Sequence, residues 1–394
     1  MVRRRHRRRL RRVVPRTRAE RPPRRTATDR IDAASRSGFR NRTVTVRHRR
    51  GALLRWYRAH RRDLPWRGAA DPYAIWVSEI MLQQTQVKTV RPYYTAFLER
   101  FPNIAALAAA AEDDVLAQWT GLGYYRRARS LHRGAREILR LHGGRLPSDA
   151  ATLRTLPGIG RYTAGAIASI AFDRAEPILD GNVRRVLARW FGVDGAKLGK
   201  GEEEKRLWEL ADRLVHGAAP GDLNQALMEL GATICLPREP ICPACPVRNA
   251  CFARAHDAVG RLPSATPRKK SVTVRVGVAV IRRAGKVLLE RPDATNPLRG
   301  TWDLPAVELD GSGFATEALT RRFDQRHRVA VTMGACLGRT THGILHRRLK
   351  LEAHGGTLRR GRVGESKNLT WVALDSLGNH PVSGATHKVL QLAT

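Results

Sequence analysis

The sequence predicts an all-helical domain followed by a smaller α+β domain, and three observations support this fold class. From Leu53 to about Ala255, apolar residues recur at spacings of three and four, and short Gly/Pro turns interrupt them. Residues 259–272 are rich in Gly, Pro, Ser and Lys, which is typical of a linker. Beyond them, Val272–Ile281 and Lys286–Glu290 have the apolar, β-branched character of strands. We therefore expect a helical domain over 51–258 and an α+β domain over 273–394.

The charge of the chain indicates its class of partner. The 394 residues carry 72 Lys and Arg against 35 Asp and Glu, a formal net charge of +37. So large a surplus favours a polyanion, and nucleic acid is the usual one. At 42% hydrophobic residues, with no run of about 18 apolar residues, the composition excludes collagen-like, disulfide-rich secreted and integral membrane proteins.

The first 50 residues hold 20 Arg and three acids, a net charge of +17. They lack a sustained apolar period and are predicted to form a disordered basic arm. A targeting peptide and a start codon assigned too far upstream are the alternative interpretations. We expect a cytoplasmic, nucleoid-associated bacterial protein, with organellar or nuclear targeting by the arm left open.

Four of the five cysteines lie within 17 residues and suggest a metal site: Cys235, Cys242, Cys245 and Cys251. Four thiolates in one loop can ligate a tetrahedral ion or a cubane cluster, so the spacing leaves zinc and iron–sulfur open. Such a loop also indicates a reducing compartment. The fifth, Cys336, is expected to be a small core residue.

A glycine-rich turn at Leu156–Gly160 precedes a helix of small residues. Gly158 and Gly160 would leave backbone amides at the helix start free to hold a phosphate without reading base sequence. A helix–helix turn without a ligand is the alternative, but the basic surplus favours DNA.

Glu79 lies in an apolar segment over 76–86 that is predicted to be helical. Glu79, Gln83 and Gln86 would form one polar stripe on that helix. A half-buried carboxyl with apolar neighbours has a raised pKa, which is what a general acid requires.

Asp180 precedes a segment in which Val183, Val186 and Leu187 follow a helical spacing, so it is a candidate N-cap. Helix amides and the helix dipole would keep its carboxylate anionic. The residue could be a purely structural cap, or it could face a cation that develops during a reaction.

Several motifs in the same order resemble the MutY family of adenine DNA glycosylases, from about Arg62 to Cys251. They are SEIMLQQTQ at 78–86, TGLGYYRRAR at 120–129, the glycine hairpin, ILDGNVRRVLAR at 178–189 and the cysteine loop. The superfamily is similar to bacterial endonuclease III, which shares the hairpin and the loop. The resemblance implies a helix-hairpin-helix glycosylase core with a [4Fe-4S] cluster, followed by a Nudix-like domain. It also implies excision of adenine opposite 8-oxoguanine or guanine in double-stranded DNA, by a monomer without membrane association.

The resemblance also implies roles for the residues of the reaction. Glu79 matches the acid that protonates adenine at N7, and Asp180 matches the carboxylate that stabilises the oxocarbenium-like sugar. Tyr162 stands where endonuclease III relatives carry a Schiff-base lysine, so only the glycosidic bond should be cut. Asn182 and Gln225 match polar positions of the active site, and Gln225 would lie next to the extruded adenine.

Further positions match DNA contacts of the family. Tyr124 matches a tyrosine that wedges into the duplex, and Gln84 matches a residue that enters near 8-oxoguanine. Such wedges offset the unstacking that base extrusion requires. Arg62, Leu64 and Arg67 match contacts of the base pocket and of 8-oxoguanine.

The C-terminal domain departs further from the family. Residues 296–305 resemble the start of its Nudix-like domain, but the acidic helix of Nudix hydrolases is missing, so we expect no Mg²⁺-dependent hydrolysis. The family's Phe-Ser-His loop aligns with residues 344–346, where His346 alone is a candidate contact to the damaged base. Two other functions are alternatives: a bifunctional lyase that acts on oxidised pyrimidines, and a non-catalytic DNA-binding protein with structural zinc.

Overall fold

The structure is a computed structural model, and it describes residues 42–68, 71–264, 271–291, 302–310, 313–344, 346–360 and 368–393. The chain divides into residues 1–49 and residues 50–394, and the site described below belongs to the second unit. Within the described ranges, no helix is both long enough and apolar enough to cross a membrane.

The first helix, α1, spans Arg42–His60, so the prediction of disorder is wrong for residues 42–50. Residues 1–41 of the predicted arm lie outside the described ranges. The helix needs no apolar residue in its first turns, because Leu53, Leu54 and Tyr57 anchor it in the core and arginine is a good helix former.

The remaining helices of the first domain follow in short succession. They are α2 (Pro72–Leu82), α3 (Val87–Arg100), α4 (Ile104–Ala109), α5 (Glu112–Ala117), α6 (Arg126–His142), α7 (Ala150–Leu153), α8 (Arg161–Phe172), α9 (Gly181–Phe191), α10 (Gly195–Leu198), α11 (Lys200–Val215), α12 (Pro220–Thr233) and α13 (Phe252–Ala255). Two 3₁₀ turns, Cys242–Ala244 and Arg248–Ala250, interrupt the cysteine loop.

Helix α2 runs through the middle of the helical core. Asp71 caps its first turn by accepting a hydrogen bond from the backbone amide of Tyr73, and the residues from Tyr73 to Met81 are all buried. The helix ends at Leu82, so the prediction of a helix over 76–86 is wrong for its last four residues. The chain turns there because Gln84 adopts a left-handed backbone conformation, with φ of 58°.

The second domain is a mixed sheet with a helix on each face. Its elements are β1 (Val272–Arg283), β2 (Lys286–Glu290), β3 (Ala306–Glu308), α14 (Ala315–His327), β4 (Ala330–Ile344), β5 (Arg347–Arg360), β6 (Leu369–Ala373) and α15 (Gly384–Leu392). The strand order is β4-β5-β1-β2-β6, with β3 also paired to β1. Only the β1–β5 pairing is parallel within the described strands.

Side chains alternate between the two faces of β1, as a strand requires. Val278 and Val280 pack with Val389 of α15, whereas Ala279 packs on the other face with Phe323 of α14. The strand predicted at Val272–Ile281 is therefore present, extended by two residues. The expectation that Cys336 belongs to the core is wrong, because it lies exposed on the edge strand β4.

Polar contacts connect the helical domain to the sheet domain. The Tyr125 hydroxyl donates a hydrogen bond to the Val382 carbonyl at 2.9 Å, and Arg291 forms an ion pair with Asp113 at 2.8 Å. The turn that carries Tyr124 thus lies against the second domain.

Candidate active site

A cleft of about 920 Å³ opens between α2, α8, α9 and α12. Ten of the residues predicted from the sequence to act on DNA line it: Arg62, Leu64, Arg67, Glu79, Gln84, Gly160, Tyr162, Asp180, Asn182 and Gln225. The fold therefore brings together segments that are more than 150 residues apart in the sequence.

Glu79 projects from α2 into this cleft, and only 5% of the residue is exposed. The Tyr162 hydroxyl donates a hydrogen bond to Glu79 Oε2 at 2.8 Å. Burial raises the pKa of Glu79 to about 7, the hydrogen bond from Tyr162 opposes this rise, and the charge of Asp180 adds to it. The raised pKa predicted for this carboxyl is confirmed.

Tyr162 lies in the first turn of α8, between Glu79 and Met228. Its hydroxyl is 3.2 Å from the Met228 sulfur, and burial raises its pKa well above the ordinary value for a tyrosine. It therefore stays a neutral hydrogen-bond donor. Among the residues that line the cleft, Lys88 is the one lysine, and it is exposed in the first turn of α3.

Asp180 is the N-cap of α9, as predicted. Its Oδ1 accepts a hydrogen bond from the Val183 amide at 2.7 Å, and its Oδ2 accepts one from Asn182 Nδ2 at 3.2 Å. Burial nevertheless raises the pKa of Asp180, and the two donors only limit the rise. The direction differs from the one expected for a cap, because the residue lies inside the cleft rather than on an open helix end.

Asn182 is fixed from the side of the cysteine loop. Its Oδ1 accepts a hydrogen bond from Arg185 at 2.8 Å, and Arg185 also donates to the carbonyls of Gly231 and Cys235, each at 2.7 Å. A Cβ on Gly231 would lie 2.6 Å from the Cβ of Asn182. Glycine at this position therefore allows α9 and α12 to approach closely beside Asp180.

Sequence reasoning missed Glu229, a fully buried residue of α12 that also lines the cleft. Arg62 donates to both of its oxygens at 2.8 Å, and Arg67 forms a further ion pair with it. Burial alone would raise the pKa of Glu229, but the hydrogen bonds from Arg62 and Arg67 lower it to about 2. The signal in the sequence was weak: a second polar residue one helical turn after Gln225.

The ion pairs with Glu229 restrict what the two arginines can contact. The Arg67 side chain is 9% exposed, so it supports the cleft wall from behind, whereas Arg62 is 39% exposed and can still reach a ligand. Direct contact with a base is predicted for both arginines. The exposure of the two side chains favours such a contact for Arg62 rather than for Arg67.

Three predicted DNA contacts lie outside the cleft. Tyr124 is exposed on a turn, and His346 is exposed in the turn between β4 and β5. Gly158 packs against α6, because a Cβ there would lie 2.6 Å from the Cβ of Ser130. Gly160 faces open space as the N-cap of α8, and it leaves the first amides of that helix without a side-chain partner.

The four cysteines of the loop surround one small cavity of about 30 Å³ and form no disulfide. Arg189, Arg248 and Arg254 line the same cavity, and Arg189 donates to Cys235 Sγ at 3.5 Å. In the described ranges, no three Cys, His, Asp or Glu side chains form a group suited to a single metal ion. The donor set and the surrounding guanidinium groups fit an anionic group held by thiolates.

Two family models match this chain. Residues 77–213 match the family model of the HhH-GPD superfamily base excision DNA repair protein, and residues 277–392 match that of the NUDIX domain. A solved thermostable thymine-DNA glycosylase is 32% identical, with a TM-score of 0.49, over 55% of this chain and 97% of that one.

Two curated relatives share one name. The adenine DNA glycosylase of Rattus norvegicus is 37% identical over 86% of this chain and 77% of its own length. That of Homo sapiens is 51% identical over 52% of this chain, which corresponds to 39% of the human protein. The chain thus spans most of the rat relative but well under half of the human one. With its helical core, its cleft and its C-terminal Nudix-like domain, the chain belongs to the adenine DNA glycosylase family of enzymes, within the helix-hairpin-helix superfamily.

Proposed function

We propose that the protein is a monofunctional DNA glycosylase that removes adenine mispaired with 8-oxoguanine or guanine in duplex DNA. The observation that carries the proposal is the Glu79 carboxyl, which is buried in the cleft beside Asp180 and has a pKa of about 7. Such a carboxyl is still partly protonated at neutral pH, as a general acid must be. The name shared by the relatives supports adenine as the leaving base.

In this mechanism Glu79 is the general acid, and Asp180 stabilises the positive charge on the sugar. Because Tyr162 donates to Glu79 Oε2, the acidic proton is placed on Oε1, from which it passes to the leaving adenine. The Asp180 carboxylate, at the N-terminus of α9, faces the sugar as positive charge develops on it. Water then adds to the sugar carbon, and the Glu79 carboxylate accepts the proton that this water releases.

We expect no cleavage of the DNA backbone, because the residue that contacts Glu79 is Tyr162 and not a lysine. Tyr162 supplies a phenol where an attacking amine would be needed, and a phenol cannot form a Schiff base. Lys88, at the exposed rim of the cleft, is the amine to examine if a covalent adduct is found. This proposal excludes a lyase that acts on oxidised pyrimidines.

Binding to the duplex uses surfaces at the rim of the cleft and beyond it. The open amides at the N-terminus of α8 are suited to hold a phosphate. Gln84 and Tyr124 are exposed on turns and would enter the duplex, while His346 would contact 8-oxoguanine from the second domain. We also propose that the protein is cytoplasmic and associated with the nucleoid.

We also propose that Cys235, Cys242, Cys245 and Cys251 hold a [4Fe-4S] cluster. When bound, the cluster cross-links the loop, and the three arginines around the cavity compensate its negative charge. Iron and acid-labile sulfide should copurify with the protein at about four of each per chain. Stoichiometric zinc instead would support the structural-zinc interpretation.

The experiment that tests the proposed function is single-turnover cleavage of labelled duplexes with adenine opposite 8-oxoguanine, opposite guanine and opposite thymine. We expect adenine release from the first two, fastest opposite 8-oxoguanine, and strand breaks only after alkali. Borohydride should trap no protein–DNA adduct. Strand scission without alkali, or a borohydride-trapped adduct, would contradict a monofunctional enzyme, and loss of the adduct in Lys88→Arg would identify Lys88 as the attacking amine.

A further inference from the structure

Two exposed side chains next to the cleft share an unusual backbone conformation. Gln84 has φ of 58° and Tyr124 has φ of 50°, although neither residue is glycine. Residues with a Cβ rarely adopt this left-handed backbone conformation, and they keep it only where the surroundings hold the backbone in place. Something must therefore hold each of these turns.

One side chain, Arg127 in the first turn of α6, holds both turns. Its Nη1 donates to the carbonyls of Ile80, Met81 and Gln83, at 3.0, 2.8 and 2.5 Å. Its Nη2 donates to the Thr85 hydroxyl at 3.0 Å, on the far side of Gln84. The same nitrogen donates to the Gly123 carbonyl at 3.1 Å, immediately before Tyr124.

The guanidinium of Arg127 also lies over two aromatic rings. Its central carbon lies 5.5 Å from the centre of the Trp119 ring and 5.4 Å from that of Tyr124. Cationic groups over aromatic rings are attracted to them, so the Tyr124 side chain is drawn to the same group that holds its backbone.

The charge of Arg127 is directed at backbone rather than at an acid. Within the described ranges its hydrogen-bond acceptors are carbonyls and one hydroxyl, with no carboxylate. Burial lowers its pKa to about 10. Ile80 and Met81 belong to the last turn of α2, whose free carbonyls carry the negative end of the helix dipole. Arg127 thus caps the C-terminus of α2, the helix that carries Glu79.

We propose that Arg127 is a positioning residue that holds the Gln84 turn and the Tyr124 turn at a set separation, so that both side chains enter the duplex together. The proposal rests on the proposed function, because it assumes that adenine is extruded from paired DNA. Arg127 would act only on extrusion and not on the chemical step, since it contacts no residue of the Glu79–Asp180 pair through a side-chain hydrogen bond. A lysine could not replace it, because one ammonium cannot reach acceptors on both turns as the planar fork does.

The test compares Arg127→Lys with wild type on two substrates, under single-turnover conditions. One carries adenine opposite 8-oxoguanine in a fully paired duplex, and the other carries the same adenine and 8-oxoguanine with the two flanking base pairs replaced by mismatches. We expect the variant to lose about tenfold or more in rate on the fully paired substrate, equivalent to about 1.4 kcal/mol, and less than about threefold on the mismatch-flanked one, where extrusion costs less.

The matched control is Arg133→Lys, an exposed arginine of the same helix, which should leave both rates unchanged. Thr85→Val removes only one acceptor of Arg127 and should reproduce the paired-substrate defect in a milder form, even if Arg127→Lys folds poorly. Fluorescence of 2-aminopurine next to the adenine should show less unstacking in both variants than in wild type.

Equal losses on the two substrates, or unchanged rates on both, would overturn the proposal. Arg127 would then be a purely structural residue or have no role in extrusion. A wild-type protein that releases no adenine from either substrate would instead overturn the proposed function, and this result is distinct because it does not involve the variant.

Discussion

Two buried carboxyl groups line the same cleft, and their surroundings shift their pKa values in opposite directions. Glu79 has one hydroxyl as its hydrogen-bond donor, and its pKa is raised to about 7. Glu229 receives hydrogen bonds from Arg62 and Arg67, and its pKa is lowered to about 2. Burial alone raises both pKa values, so the donors decide the outcome.

The difference divides the cleft into a reactive wall and a supporting wall. A carboxyl that gains and loses its proton near neutral pH can act as an acid, whereas a carboxylate neutralised by two guanidinium groups cannot. Glu229 instead holds the segment that carries Arg62 and Arg67 against α12. The comparison predicts that substitutions on the first wall reduce the rate, and that substitutions on the second reduce stability.

Glu79→Gln is expected to have the largest effect. The amide keeps the shape of the side chain but cannot donate a proton to adenine, so the single-turnover rate should fall by about 10² to 10⁴-fold. Binding of the duplex, measured by fluorescence anisotropy, should change little. A variant that kept more than about a tenth of the wild-type rate would remove Glu79 from the reactive wall.

Asp180→Asn separates a capping role from a catalytic one. Asparagine caps a helix about as well as aspartate, so the melting temperature should hold, while loss of the anion should reduce the rate by about 10² to 10³-fold. The charge of Asp180 raises the pKa of Glu79, so the residual activity should also decline at a lower pH than in wild type. Normal kinetics would return Asp180 to a structural role.

Glu229→Gln tests the supporting wall. Arg62 and Arg67 would lose their ionic partner inside the fold, and the free energy of unfolding should fall by about 2 kcal/mol. Glu112→Gln, which removes an exposed partner of Arg129, is the matched control and should change it by less than about 0.5 kcal/mol. Chemical denaturation of the intact chain measures both. Equal stability of the two variants would contradict a supporting role for Glu229.

Residues that act through local pattern were predictable from the sequence. The apolar segment around Glu79, the cap at Asp180 and the spacing of the cysteines each reflect a few consecutive residues, and the structure places them accordingly. The strands predicted at Val272–Ile281 and Lys286–Glu290 are present for the same reason, the first of them two residues longer than predicted.

Contacts between distant segments were not predictable in this way. Glu229 and Arg62 are 167 residues apart, and no local pattern announces their ion pair. Just after the end of α2, the Gln83 carbonyl accepts a hydrogen bond from Arg127, which lies 44 residues further along the chain. The pKa of Asp180 moved against expectation because the depth of the cleft, which depends on packing among helices, outweighs the cap.

The pH dependence of the wild-type protein also distinguishes Glu79 from Glu229. Glu79 must be protonated to act, so the single-turnover rate should decline as pH rises through about 7, approaching tenfold per pH unit above it. Stability follows the same proton: because the folded pKa is raised from 4.5, the contribution of Glu79 is full below pH 4.5 and is lost as pH rises through 7. Glu229 has the opposite sign, and its contribution is lost as pH falls from 4.5 through about 2.

This linkage can be measured with the variant already described. The stability of Glu79→Gln relative to wild type should be higher at pH 8 than at pH 5. The substitution removes the cost of an ionised carboxylate in the cleft, and wild type bears that cost only at the higher pH. A stability difference that does not change with pH would show that Glu79 titrates at its ordinary pKa.

Tyr162→Phe should have the smallest effect and tests the single donor that distinguishes Glu79 from Glu229. The hydroxyl favours the ionised form of Glu79, so its removal should raise the pKa of Glu79 further and move the midpoint of the pH–rate profile upward. A hydrogen bond of about 1 kcal/mol corresponds to a shift of somewhat under one pH unit. Below about pH 6 the rates of variant and wild type should agree, because Glu79 is then protonated in both proteins. A lower plateau would mean that Tyr162 takes part in the chemical step itself, and a midpoint that moves downward would mean that the hydroxyl does not stabilise the Glu79 anion.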